Sequence, residues 1–280
     1  MEVVRAEDLG MCFGVRDALA TLARVDAAAD VTIHGELVHN GEVLAELDRR
    51  GFRRSAEASR GVPATPVVMI TAHGISDRER AVLTRHGKAL IDTTCPLVKK
   101  AHTAAQELQA EGRRVVVIGR RDHVEVRGIV EDLRAPIVVR DADEVGCWFE
   151  TRLGVVAQTT TQAAVAESIV AAIRNRNPAA DVRFVDTICS PTKARITALD
   201  ALLPRVDGVV VVGGLHSNNT KQLTARVQAA GVAVLHVENA AGLAAEWLRG
   251  KRVIGLSAGT STLDRTIDDV EAALLGWPAS

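Results

Sequence analysis

The run Val209-Val210-Val211-Val212-Gly213-Gly214 decides the fold class. Four consecutive β-branched residues before a glycine pair are typical of a strand that is buried on both faces and ends at a turn. Similar short apolar runs recur along the chain, at Val31–Ile33, Val67–Ile70, Val115–Ile118, Gly154–Ala157 and Val253–Leu256. Most are separated by segments rich in Ala, Leu, Arg and Glu, such as Ala101–Glu111 and Ala163–Arg176, which predict helices. The alternation predicts an α/β protein with parallel sheets covered on both faces.

Composition narrows the class of function. The 280 residues are 47% hydrophobic and 25% charged, and this length predicts two or three lobes. Lys and Arg total 34 against 35 Asp and Glu, and only four Phe and three Trp are present, which argues against nucleic acid as a partner. No apolar run reaches the roughly 20 residues of a membrane span, and the acidic N-terminus is unlike a signal peptide. We therefore expect a cytoplasmic protein without a membrane partner, whose four cysteines are thiols.

A repeated segment divides the chain into lobes. Ile91-Asp92-Thr93-Thr94-Cys95 resembles Val185-Asp186-Thr187-Ile188-Cys189, and a proline follows each within two residues. Cys12 precedes both, and two polar strand-to-helix junctions follow each of the three cysteines. The pattern predicts three similar α/β lobes around a shared centre, at residues 1–95, 96–188 and 189–280.

One cysteine per lobe suggests three thiolates that converge on one object. An iron–sulfur cluster, a zinc ion and simple burial are the alternatives, because unpaired Cys is often a small buried hydrophobe. Structural zinc usually takes four ligands with C-x-x-C spacing, which this chain lacks, whereas three thiolates can hold a four-iron cluster and leave one iron open. The residues alone do not separate iron from zinc. Cys147 lacks the repeated context, and we expect it to be a buried hydrophobe.

Polar side chains follow the predicted strands, where ligands of parallel sheets collect. Histidine and hydroxyl or amide donors at these junctions are typical of a phosphate site, and they are His39, His73, His123, Ser217, Asn219 and Ser261. No G-x-x-x-x-G-K-[ST] or G-x-G-x-x-G pattern signals a nucleotide. Glu125 could deliver protons beside the metal, and its simpler interpretation is a solvated acid in a first helical turn.

Nine motifs in order resemble one known family, the 4-hydroxy-3-methylbut-2-enyl diphosphate reductases (LytB/IspH). They are Met11–Val15, Glu36–Asn40, Thr71–Gly74, Asp92–Val98, His123–Gly128, Gln158–Thr160, Ile188–Cys189, Ser217–Asn219 and Ala258–Ser261. The resemblance covers essentially the whole chain. It implies a pseudo-threefold trefoil of three lobes around a [4Fe-4S] cluster held by Cys12, Cys95 and Cys189, with one open iron. It also implies a two-electron reductive dehydroxylation of an allylic diphosphate to isopentenyl and dimethylallyl diphosphates, with electrons from an external ferredoxin or flavodoxin.

The resemblance also assigns roles to individual residues. His39, His73, Ser217, Asn219 and Ser261 would bind the diphosphate. His123 and Thr159 would support the hydrogen-bond network around it, and Glu125 would be the proton donor.

Several positions depart from the family pattern. Asn218, within the same binding segment, stands where a second Ser is usual, and Val124 replaces a Pro. Met11 replaces a Phe, and Ser190–Arg195 departs from the usual Thr-Asn-Arg-Gln. These differences leave one alternative, a paralogue that acts on a related allylic or phosphorylated substrate. A second alternative, from another functional class, is an iron–sulfur redox sensor without turnover, which would not need Glu125 beside the anion-binding residues Ser217, Asn219 and Ser261.

Overall fold

The computed structural model describes residues 1–38, 40–57 and 60–277. Twelve strands lie in these residues: β1 Glu2–Arg5, β2 Val31–His34, β3 Arg53–Arg54, β4 Val67–Ile70, β5 Ala89–Asp92, β6 Arg114–Ile118, β7 Ile137–Val139, β8 Arg152–Ala157, β9 Asp181–Phe184, β10 Gly208–Val212, β11 Ala233–Val237 and β12 Val253–Ala258. The α-helices of the same residues are α1 Phe13–Ala23, α2 Gly41–Arg49, α3 Asp77–Arg85, α4 Pro96–Ala110, α5 Val124–Glu131, α6 Ala163–Arg176, α7 Ser190–Leu202, α8 Asn218–Ala229, α9 Ala245–Leu248 and α10 Asp264–Leu275. All six strands and both helices expected from the sequence are confirmed.

The strands form three parallel sheets with one shared topology. The strand orders are β3-β2-β4-β5, β7-β6-β8-β9 and β11-β10-β12-β1, and every pair is parallel. In each sheet the two central strands are apolar runs recognised in the sequence. The expected α/β class, with three similar parallel-sheet lobes, is therefore confirmed.

The N-terminal strand belongs to the last sheet. Residues Glu2–Arg5 of β1 pair in register with Val253–Leu256 of β12, at the position that β5 and β9 occupy in the other two sheets. In each sheet, one of the three cysteines therefore follows the fourth strand in the order given: Cys95 follows β5, Cys189 follows β9 and Cys12 follows β1. The pairing of β1 with β12 joins a strand of the predicted first lobe to the sheet of the predicted third lobe. The lobe boundaries 1–95, 96–188 and 189–280 stay a prediction.

By contacts the chain forms two compact units, and the larger comprises Asp17–Leu37 and Leu44–Cys189. It contains the first two sheets. Val115 and Val117 of β6 pack with α4 and α5 on one face of the second sheet, while Val116 and Ile118 pack with α6 on the other. Because each of these valine and isoleucine side chains is fully buried, each contributes roughly 1.5–3 kcal/mol of hydrophobic stabilisation.

The smaller unit comprises Met1–Arg16, Val38–Val43 and Ser190–Ser280 and contains the third sheet. Val210 and Val212 of β10 pack toward α10, and Val209 and Val211 pack toward α7 and α8. Gly213 follows β10 at φ +151°, and a Cβ there would lie 2.6 Å from Oγ1 of Thr220. The glycine therefore allows the strand end to lie against the first turn of α8.

In all three sheets the carboxyl ends of the central strands lead into the polar junctions seen in the sequence. The residues at these ends directly follow strands that are buried on both faces. The buried strands fix the backbone positions of these residues. Across the described part of the chain, every helix is too short or too polar to cross a bilayer.

Candidate active site

The three cysteines predicted as ligands occupy the same place in each sheet. Each backbone N–H donates to the carbonyl two residues past the end of the sheet's third strand. These bonds join Cys95 to Ala72 (3.0 Å), Cys189 to Thr159 (2.9 Å) and Cys12 to Thr260 (3.1 Å). A helix begins at the next residue in every case. The sequence repeat was recognised only around Cys95 and Cys189. The backbone hydrogen bond shows that Cys12 occupies the equivalent position in the third sheet.

The cysteine side chains have the chemistry that an iron–sulfur cluster needs. Cys12, Cys95 and Cys189 are partly buried thiols, and each lies directly before a helix. Among residues 1–38, 40–57 and 60–277, no group of three His, Cys, Asp or Glu side chains is preassembled as a metal site. The donor type and the repeated placement fit a thiolate-bound cluster.

Cys147 differs from the expectation. It is exposed rather than buried, because it lies in the irregular segment between the short 3-10 helix Ala142–Glu144 and β8. Phe149, two residues later, is also fully exposed. The interpretation of Cys147 as a buried hydrophobe is therefore wrong, although the residue remains apart from the three equivalent cysteine positions.

His123 and His73 lie side by side in the larger unit. His123 caps helix α5, and its Nδ1 accepts the backbone N–H of Glu125 at 3.2 Å. Because Nδ1 is the acceptor, the neutral ring carries its proton on Nε2 and can donate there. The His73 ring lies edge-on to the His123 ring, with centroids 5.7 Å apart. The junctions after β4 and β6 therefore lie next to each other in this unit.

Glu125 is buried against the junction that follows β8. Its Oε1 accepts the backbone N–H of Thr159 at 2.6 Å, and its Oε2 accepts the Thr159 hydroxyl at 2.9 Å. Only 2% of Glu125 is exposed, so the alternative of a solvated helix acid is wrong. Burial raises the pKa of Glu125 to about 7, although the two Thr159 hydrogen bonds act in the opposite direction. Near neutral pH this side chain can hold or release a proton.

The predicted anion-binding residues of the smaller unit also lie together. Ser217 is the N-cap of α8, with Asn218 and Asn219 in its first turn. Asn219 Oδ1 accepts the backbone N–H of Thr260 at 3.0 Å, which ties α8 to the junction that carries Ser261. The Asn219 Nδ2 is buried and has no hydrogen-bond partner in the described structure. A buried amide donor beside a helix N-terminus has the chemistry to bind a phosphate oxygen.

Two residues that the sequence analysis did not single out form hydrogen bonds to the backbone of the junctions after β12 and β4. Asn40 donates from Nδ2 to the Ser261 carbonyl at 2.8 Å and accepts the Val43 N–H at 3.1 Å. Arg60, whose side chain is 3% exposed, pairs with Glu57 and donates to the carbonyl of Gly74. Asn40 lay within a quoted motif, which was a usable signal, whereas Arg60 stands in a stretch with no recognisable pattern.

The structure therefore forms two groups of predicted site residues. One is His73, Cys95, His123, Glu125, Thr159 and Cys189, in the larger unit. The other is Cys12, Ser217, Asn218, Asn219 and Ser261, in the smaller. His39, predicted as a diphosphate ligand, lies outside the described residues.

Fold and side chains together define an α/β protein with thiols, a buried acid and hydrogen-bond donors at the carboxyl ends of its parallel strands. The profile of the LytB protein family matches residues 3–275. The chain is 36% identical over 280 residues to the 4-hydroxy-3-methylbut-2-enyl diphosphate reductase of Nitratidesulfovibrio vulgaris, covering 98% of this chain and 99% of the relative. It is 33% identical over 283 residues to the reductase of Aquifex aeolicus, covering 98% and 96%.

Solved structures give the same result. A structure described as (E)-4-hydroxy-3-methyl-but-2-enyl diphosphate reductase, the terminal enzyme of the non-mevalonate pathway, aligns with TM-score 0.70 and 32% identity over 99% of both chains. The E-1-hydroxy-2-methyl-but-2-enyl-4-diphosphate reductase of Plasmodium falciparum aligns with TM-score 0.89 and 25% identity over 99% of this chain and 89% of the other. The chain belongs to the LytB protein family, and it is an oxidoreductase of the 4-hydroxy-3-methylbut-2-enyl diphosphate reductase type.

Proposed function

We propose that this chain converts 4-hydroxy-3-methylbut-2-enyl diphosphate to isopentenyl and dimethylallyl diphosphates. The allylic C–O bond breaks, two electrons and two protons enter, and the hydroxyl oxygen leaves as water. The buried Glu125 carries this proposal, because a carboxyl group whose pKa is about 7 can supply a proton at neutral pH. The relatives' names and the matched fold support the choice of substrate.

The proposed cofactor is a [4Fe-4S] cluster held by Cys12, Cys95 and Cys189, with one iron left open. When bound, such a cluster supplies electrons and a Lewis-acidic coordination site. The three equivalent cysteine backbones support this ligand set. Cys147 is excluded from it, because it lies on an exposed segment outside the repeated geometry.

The remaining roles follow from hydrogen-bonding capacity. Glu125 donates the proton to the departing hydroxyl, and Thr159 holds both of its carboxyl oxygens in place. His123 presents Nε2–H, and its neighbour His73 adds a further donor. The residues proposed to bind the diphosphate are His39, His73, Ser217, Asn218, Asn219 and Ser261. The buried Nδ2 of Asn219 gives the most direct support, since it is a donor without a protein partner that a phosphate oxygen could accept from.

For the electrons we propose an external donor of the ferredoxin or flavodoxin type, which the resemblance to the reductase family implies. We place the enzyme in the cytoplasm, where a reducing environment keeps its four cysteines as thiols.

The test is anaerobic purification, iron and sulfide analysis, and turnover with a chemical reductant that does not limit the rate. We expect about four irons per chain and formation of both products. Glu125→Gln keeps the cluster and slows turnover by roughly 10²–10⁴-fold, which is the usual effect of removing a positioned acid. A cluster without turnover of any allylic diphosphate would indicate a redox sensor. Turnover of only a related substrate would indicate a paralogue, in which Asn218 is the first residue to examine.

A further inference from the structure

The same turn precedes two of the three cysteines. Oδ1 of Asp92 accepts the backbone N–H of Thr94 at 2.9 Å. Oδ1 of Asp186 accepts the backbone N–H of Ile188 at 3.0 Å. A carboxylate that accepts the N–H two residues later forms an Asx turn, which fixes the backbone where the chain leaves a strand.

The threonine between the aspartate and the cysteine anchors this turn to the sheet. Thr93 donates its hydroxyl to the carbonyl of Ile70 at 2.5 Å, and Thr187 donates to the carbonyl of Ala157 at 2.5 Å. Ile70 and Ala157 are the last residues of the third strands β4 and β8. Both threonines are buried, so the turn is joined to the most rigid part of each sheet.

Together these bonds fix the backbone of the three residues that precede each cysteine, and of the cysteine itself. The carboxylate fixes the turn, the threonine hydroxyl fixes its second residue, and the N–H of Cys95 or Cys189 completes the attachment to the same junction. A thiolate whose backbone is held this way loses little conformational freedom when it binds a metal.

The approach to Cys12 uses different groups. Leu9 stands at the position of the aspartate, so no Asx turn forms there. Gly10 adopts φ +76°, and its carbonyl accepts a hydrogen bond from the buried Arg195. Arg16 donates to the next carbonyl, that of Met11, at 3.3 Å. The Asx turn formed by an aspartate therefore occurs before Cys95 and Cys189 but not before Cys12, so it is not a general property of the fold.

We propose that Asp92 and Asp186 are positioning residues that hold Cys95 and Cys189 in place for a thiolate-bound metal cluster. The inference rests on the proposed function, because it requires a cluster at these cysteines. Neither aspartate touches substrate or metal in this role, since each acts through the backbone that carries its cysteine.

Asp92 has a second role that must be separated from the turn. Its carboxylate also forms ion pairs with Lys99 at 2.9 Å and Arg80 at 3.0 Å. Asparagine keeps an oxygen that can accept the Thr94 N–H but loses the charge, so Asp92→Asn preserves the turn and removes the ion pairs. Lys99→Met removes one ion pair and leaves the turn intact.

The experiment measures how firmly the reconstituted holoenzyme holds iron. The parent, Asp186→Ala, Asp186→Asn, Asp92→Ala and Asp92→Asn are loaded anaerobically, and iron release to a chelator is followed by the visible absorption of the cluster. Asp207→Ala is the matched control. Its carboxylate accepts two backbone N–H groups, at 2.8 and 2.9 Å, but at the opposite end of the third sheet from Cys12. Lys99→Met controls for charge.

We expect both alanine variants to release iron about 10–100-fold faster than the parent, the usual cost of removing a group that orients a metal ligand. Both asparagine variants stay within about threefold, and the two controls match the parent. The electron paramagnetic resonance spectrum of the reduced cluster changes in the alanine variants only, which general destabilisation would not produce.

Release from Asp186→Ala and Asp92→Ala at the parental rate would overturn the inference while leaving the proposed cofactor intact. Equally fast release from Asp207→Ala would overturn it too, because the effect would then be general. A parent that takes up no cluster would overturn the proposed function and this inference with it.

Discussion

Replacing Glu125 with glutamine will change how the stability of the protein depends on pH. In the folded chain the carboxyl group is buried against Thr159, and burial raises its pKa from 4.5 to about 7. Glutamine keeps the shape of the side chain. Its oxygen can accept the Thr159 N–H, and its amide can donate to the Thr159 hydroxyl, whose proton can turn away. The substitution therefore removes the titration and little else.

The size of the effect follows from the two pKa values. Below pH 4.5 the carboxyl is protonated in both the folded and unfolded states, and its contribution to stability is fully present. Between pH 4.5 and 7 the unfolded chain ionises while the folded chain stays protonated, so the free energy of unfolding falls by about 1.4 kcal/mol per pH unit. Above pH 7 the contribution is lost. The parent therefore loses about 3 kcal/mol across this window, and the glutamine variant does not.

The assay is urea unfolding of the parent and Glu125→Gln at pH values from 4.5 to 8. Other titrating groups are common to both proteins and cancel in the difference between their unfolding free energies. That difference should shift by about 3 kcal/mol in favour of the variant as the pH rises. Glu167→Gln, on the exposed part of α6, is the control for losing a carboxylate in water. A difference that stays constant within about 0.5 kcal/mol would show that Glu125 is not held as a buried acid.

Three further predictions address the ligands, the substrate and the core. Cys189→Ser will lose most of the iron and visible absorption of the anaerobically loaded protein, whereas Cys147→Ser will keep both, because a hydroxyl is a poorer iron ligand than a thiolate. Asn219→Ala will raise KM about 10-fold or more, with a smaller effect on kcat, since it removes a buried donor to a charged group; unchanged steady-state kinetics would exclude it from binding. Ile118→Ala will lower the free energy of unfolding by about 2–5 kcal/mol in urea titrations, because this side chain is fully buried.

The sequence by itself determined the central strands and the residues at their ends. Runs such as Val209–Val212 are apolar without interruption because both faces of a central parallel strand are covered, and that pattern is local. Two of the outer strands, β3 and β9, gave no such signal. Arg53–Arg54 of β3 is exposed, and Asp181–Phe184 of β9 alternates between exposed and partly buried residues. These segments form strands because they hydrogen-bond to a neighbouring central strand, and their own composition does not predict it.

Only the tertiary structure decided which distant residues meet. The placement of β1 beside β12 joins the two ends of the chain, and no local pattern specifies that pairing. The burial of Glu125 was also hidden, because its Thr159 partner lies 34 residues away on a neighbouring strand end. Asn40 reaches Ser261 across 221 residues. Sequence periodicity reports which face of an element is buried, whereas the pKa of an acid and the partner of an amide depend on what packs against them once the strands are assembled.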